Sequence, residues 1–181
     1  MTIFKLGTDF KYTDLTFLQK EDVRRFAGYK GQPVEADGSW TPEVFGLSDD
    51  QLQKGKDNDF DARCYAATLV VRKEFQEPLE ALLPGQVQCL PITIREVPGE
   101  FIYVNVLNSV PAINLDGMDF KQSMEMLRGT DINFRLPAVK DQILFRDEKI
   151  NNFYFCTDKF IDFAEANGIR GLKFEKAGTA G

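Results

Sequence analysis

Toward its C-terminal end this chain changes hydrophobic period twice within one stretch, ILFRDEKINNFYFCTDKFIDFAEANGIRGLKFEKAG at 143–178. QILFR and NFYFC read as strands flanking the charged turn DEKIN, with Phe153 and Phe155 on one face of the second and Tyr154 on the other. A helix follows. Thr157 or Asp158 can cap its start, Phe160, Phe163 and Ala164 form its apolar face, and Asn167-Gly168 supply a left-handed stop. IRGLKFEK then returns to a strand pattern, and the small residues 177–181 read as a flexible tail. Strand, helix and strand in succession predict an α+β fold.

The same alternation recurs upstream. VRKEFQEPLEALL places Val71, Phe75, Leu79 and Leu82 on one helical stripe before the stop Pro84-Gly85, and Pro78 predicts either a kink or a helix restarting with Pro78 in its first turn. QCLPITIREV and EFIYVNVLN, separated by Pro98-Gly99, predict a hairpin whose second strand is half-buried. A short helix is expected over about 119–128 and a strand over 131–137. Residues 2–6 can open a sheet, whereas the closely spaced glycines and prolines of 28–61 predict an irregular, loop-rich segment. At 181 residues, against ~150 per domain, the expectation is one domain over 1–176: a mostly antiparallel sheet with two or three packed helices.

Composition narrows the chemistry. Hydrophobic residues make up 43% and charged residues 28%, as in ordinary globular proteins, and sixteen Phe residues predict a ring-rich core. Apolar runs such as YAATLVV are far short of the ~20 residues a membrane helix needs, and the N-terminal segment carries no secretion signal, so the expected location is the cytoplasm. Cys64, Cys89 and Cys156 are too widely spaced for a metal or redox motif and are expected as free, buried thiols. With no histidine, the chain cannot build a His-based triad or a Cys-His pair, and almost every zinc site is excluded. Neither GxxxxGK[ST] nor GxGxxG occurs, and a net charge of −6 opposes nucleic-acid binding. No cofactor is expected.

One stretch resembles a calcium loop. In DNDFDA, Asp57, Asp59 and Asp61 match its first three ligand positions, but Ala62 stands where glycine is needed and Thr68 where a bidentate Glu is needed, so no metal is expected. The alternative is an acidic docking loop. Asp49, Asp50, Asp57, Asp59 and Asp61 against Lys54 and Lys56 give net −3 over 49–61, with the single tryptophan, Trp40, upstream as a candidate anchor. The plainer readings are a solvated loop and a core tryptophan.

The order of segments over about 66–176 resembles immunity family eleven of bacterial polymorphic toxin systems, first catalogued as a domain of unknown function. The similarity rests on the helix VVRKEFQEPLEALLPG, the Leu-Pro strand VQCLPITI, the tyrosine-bearing strand EFIYVNVLNSVPAINLD with its Leu-Asp pair, and the closing ILFRDEKINNFYFCTDKFIDFAEANGIRGLKFEKA. The resemblance implies a bacterial cytoplasmic antidote without catalysis of its own. It would bind a toxin encoded next door and cover its active site, with Trp40, Asp49, Asp50, Asp57, Asp59 and Asp61 as the candidate contacts. The alternatives are a carboxylate-dependent hydrolase, which needs only two acids at a set separation, and a scaffold or adaptor unrelated to toxins.

Overall fold

In the computed structural model, which describes residues 1–29, 31–35, 40–65 and 68–181, the elements in chain order begin with β1 (Thr2–Thr8), β2 (Leu15–Phe17), α1 (Lys20–Tyr29) and β3 (Glu43–Leu47). Next come β4 (Ala62–Tyr65), β5 (Thr68–Arg72), α2 (Gln76–Leu82), β6 (Val87–Arg95), β7 (Phe101–Val106) and β8 (Ser109–Val110). The chain closes with α3 (Phe120–Arg128), β9 (Ile132–Phe134), α4 (Leu136–Val139), β10 (Leu144–Asp147), β11 (Phe155–Cys156), α5 (Asp158–Ala166) and β12 (Leu172–Ala180). Single 3-10 turns lie at Gln51–Gln53 and Lys73–Phe75.

These strands form two six-stranded sheets, ordered β8-β10-β11-β1-β12-β9 and β2-β3-β6-β7-β5-β4. Pairs β8/β10, β9/β12 and β3/β6 are parallel and the others antiparallel. The α+β class holds, but the expected single, mostly antiparallel sheet with two or three helices is replaced by two mixed sheets and, among the described residues, five α-helices. The second sheet curls into a nearly closed barrel: its edge strands approach one another, with the rings of Phe17 and Tyr65 5.9 Å apart.

Side-chain alternation explains why the sheets stack. On β7, Phe101 and Tyr103 point into the barrel beside Phe45, Phe60 and Val70, while Ile102, Val104 and Val106 point toward the first sheet. FIYVNV is therefore buried on both faces, and the expected half-buried surface does not exist. The first sheet is likewise covered twice. Leu6, Leu144, Tyr154 and Cys156 meet the barrel wall with α2 and α5, whereas Ile3, Phe145, Phe155 and Ala177 form an outer core with α4 and part of α3.

Several local expectations hold. β6 and β7 form the antiparallel hairpin, α3 starts at the Asp119 capping box, and β10, β11 and α5 follow the order expected for the closing stretch. Pro78 lies in the first turn of α2, so the helix restarts there and Val71 belongs to β5, opposite Ile102. Two further expectations fail, the second only in part. Residues 177–181 are not a flexible tail, because β12 continues to Ala180, pairs with β1 and β9, and buries Ala177 and Ala180. The glycine-dense segment 28–61 contains β3, an internal strand between β2 and β6. A Cβ at Gly46 would stand 3.0 Å from Leu18 Cδ2 and 3.4 Å from the Glu96 carboxylate, so the site is tight for a larger residue.

Candidate functional site

The loop that follows β3 is folded onto the segment between β1 and β2 by hydrogen bonds from both sides. Ser48 N donates to Asp14 O at 2.8 Å, Thr13 N to Asp57 O at 2.9 Å and Asp57 N to Lys11 O at 3.2 Å. Gln53 and Asp14 exchange a reciprocal pair: Asp14 N donates to Gln53 Oε1 and Gln53 Nε2 to Asp14 Oδ2, each at 3.1 Å. The acids shape the turns from within. Asp50 caps the 3-10 turn by accepting from Leu52 N at 2.9 Å, and Asp57 accepts from Asp59 N at 2.9 Å.

Beneath these loops lies Arg63 on β4, fully buried. Its Nη1 donates to Asp9 O at 2.9 Å and Gly171 O at 3.0 Å, and its Nη2 donates to Tyr12 O at 3.2 Å and to the Asp14 carboxylate at 2.6 Å. Burial pulls the guanidinium pKa down and the Asp14 charge opposes that pull. One cation thus ties the end of β1, the start of β12 and the approach to β2.

The five aspartates do not act together. Asp59 and Asp61 face arginines: Arg170 reaches Asp61 at 2.8 Å and Asp59 at 3.1 Å, while Arg72 lies 3.4 Å from Asp61 and 3.3 Å from Asp59. Burial works against the Asp61 charge, but hydrogen bonds from the Arg170 side chain and backbone N–H outweigh it and hold the carboxyl below the usual range. Asp59 is held down chiefly by its hydrogen bond from Arg170. With those two arginines included, the segment's net charge of −3 becomes −1. Asp59 and Asp61 of DNDFDA therefore form an ion-pair network with Arg72 and Arg170, and Asp61 is buried.

Trp40 also faces inward. Its indole N–H donates to Pro91 O at 2.7 Å, and its ring stacks on Tyr103 at 6.2 Å within the barrel cluster, which favours the core reading over the anchor. Burial of Tyr103 in that cluster pushes its phenol up to about 12. The cysteines are free thiols, as the spacing predicts; Cys156 is buried, Cys64 and Cys89 are half-buried, and burial raises Cys64 and Cys89 to about 12, so none is poised as a nucleophile.

Asp49, Asp50 and Asp57 remain exposed, and among the described residues no Lys or Arg lies within ion-pairing distance of them. On the same two loops, Phe10 is 66% and Leu52 79% exposed. Lys56 and Lys173 sit 5.8 and 5.7 Å from the Phe10 ring centroid. A shallow concavity of about 390 Å³ opens between Leu47 and Asn58. Sequence reasoning passed over Phe10 and Leu52, although each is a single large apolar residue in a polar turn, Asp-Phe-Lys and Gln-Leu-Gln, a pattern that packing does not require.

No family model matches the chain, and no curated protein matches it significantly. Among the described residues no group of three or more acids and cysteines is arranged to hold a metal ion, and no helix is long and apolar enough to cross a membrane.

Proposed function

We propose that this protein is a binding protein that neutralises a partner by covering the partner's working surface, as the immunity proteins it resembles would do to a toxin. The observation that carries this reading is the pair of stitched loops at 9–14 and 48–58. They hold two large apolar side chains, Phe10 and Leu52, out in solvent beside Asp49, Asp50 and Asp57, while Asp59, Asp61 and Trp40 are engaged by the scaffold. Apolar anchors bordered by charge are the composition of a docking surface, with the Phe10 and Leu52 side chains supplying affinity and the acids steering a basic partner. The loops are ordered before contact, so binding does not carry a large ordering cost.

A carboxylate hydrolase has weaker support. A general acid needs a carboxyl held above its ordinary range, and Asp59, Asp61 and Glu175 are displaced the opposite way by arginine or lysine. The test is co-purification with the product of the adjacent gene, together with growth of cells expressing that gene alone and with this chain. A tight complex and rescue of a toxic neighbour support the antidote. A harmless neighbour and no complex would sink it.

A further inference from the structure

The outer face of the first sheet carries a cavity of about 450 Å³ between α3 and the strands. Its floor is aromatic and aliphatic: Phe153, Phe155, Ile132 and Ala177, with Leu127 of α3 forming one wall. Two features of the sheet shape it. Lys5 stands in register with Phe155 on one neighbour and Glu175 on the other, so the three side chains form a row across β11, β1 and β12. Between Ile3 and Phe4 the register of β12 slips, leaving Ala177 as a bulged residue that lines the cavity. Bulges re-aim side chains in this way, often beside binding sites.

The charges around this cavity are uneven. Glu175 is bonded to Lys173 at 2.7 Å, and Lys176 reaches Asp131 at 3.3 Å. Lys5 has no acid within ion-pairing distance among the described residues; its ammonium lies 5.1 Å over the Phe153 ring instead. Lys5 thus keeps an ammonium without a direct ion pair above an apolar, ring-lined hollow of ordinary ligand-pocket size, although Glu175, which lines the same hollow, feels its charge.

We propose that this cavity binds a small amphipathic monoanion, a carboxylate on an apolar chain or ring, with the carboxylate on Lys5 and the apolar body against Phe153, Phe155 and Leu127. The site uses none of the residues of the loop surface and is independent of the antidote reading. α3 would feel the ligand most. None of its side chains is fully buried, and Phe120 at its start is 83% exposed, so a molecule filling the hollow beside Leu127 adds contacts the helix otherwise lacks.

The experiment is a titration of the isotopically labelled full chain with octanoate and, in parallel, with octanol, followed by amide shifts. Saturable octanoate binding is expected, with the largest shifts at 127–132, 153–155 and 175–177. Octanol, which lacks the charge, should bind about tenfold more weakly, as loss of one charge-assisted contact implies. Lys5→Met should weaken octanoate by a similar factor and leave octanol unchanged, and Lys5→Arg should restore octanoate. The ratio of octanoate to octanol affinity on the unaltered chain reads the same contribution should Lys5→Met fold poorly. Absence of saturation, equal affinity for the two probes, or shifts confined to the loops at 9–14 and 48–58 would overturn the proposal.

Discussion

Asp61 shows how a side chain that reads as surface acid becomes structural. It sits at the start of β4 and accepts from the backbone N–H and the guanidinium of Arg170, with Arg72 beside it. Its folded carboxyl lies below the ordinary value, so the ionised form is the one that folding favours. The stability it contributes is therefore fully present above the unfolded-state pKa of about 4, and is lost as pH falls through the lower folded value. Asp61→Asn should lower stability near pH 7 by about 2 kcal/mol, because it removes the buried carboxylate and leaves two arginines with only the exposed Asp59 as an acid partner. Urea unfolding of both proteins at neutral and acid pH tests this, with the gap between them expected to close on the acid side. A gap that stays constant would assign the effect to hydrogen-bond geometry instead of charge. The same rule that makes Asp61 informative explains why sequence grouped it with Asp57: spacing reports alternation along a loop, and not which alternate member meets an arginine 109 residues later.

At the scale of elements, β12 carries the clearest departure from a local reading. AGTAG has the composition of a frayed end, yet Gly178 passes so close to β9 that a methyl group there would land on the backbone carbonyl of Ile132. Glycine is needed at this crossing for close approach. Gly178→Ala should separate β9 from β12, and deletion of 177–181 should lower the melting temperature further, because it also removes Ala177 and Ala180 from the outer core. A truncated chain melting with the full-length protein would refute the structural role of this end. Elements defined by their own few residues were legible: the β6/β7 hairpin, the Asp119-capped α3, and the β10-β11-α5 order. Elements defined by distant partners were not. β3 was hidden because its Gly46 and neighbouring prolines suppress a strand signal that pairing with β2 and β6 restores, and α1 offers only Phe26 as a buried residue. The parallel pairs β3/β6 and β9/β12 leave no local trace at all, which is why one sheet was expected where two exist. Of the loops proposed for docking, the acidic segment was singled out from sequence, whereas the exposed apolar side chains beside it, Phe10 and Leu52, were missed.

At the scale of the whole molecule, shared groups cross between the two sheets and join them. Arg63, on the barrel, binds carbonyls at the end of β1 and the start of β12 in the first sheet, and the inter-sheet core runs from Val71 and Val104 to Leu144 and Phe160. Arg63→Met would take one donor from the Asp14 carboxylate and from each of three carbonyls, so it should destabilise by about 3 kcal/mol while keeping a single unfolding transition. Two separated transitions would mean that the sheets are independent. This rigidity bears on binding, since loops fastened to a stiff body present their charges in fixed positions. Asp49, Asp50 and Asp57 are the members of the acidic segment that remain exposed without an arginine, so they alone can steer a basic partner over distances of about a Debye length, ~8 Å at physiological salt. Reversing these three to lysine should slow association with the adjacent gene's product and flatten its salt dependence, with only a small drop in melting temperature from the lost turn caps at Asp50 and Asp57. Leu52→Asp should act differently, accelerating dissociation, because an anchoring side chain is felt after contact and a steering charge before it. Surface-capture kinetics across a salt series separate the two effects. Unchanged rates in both variants would move the contact surface away from these loops, and loss of folding in either would contradict their exposure.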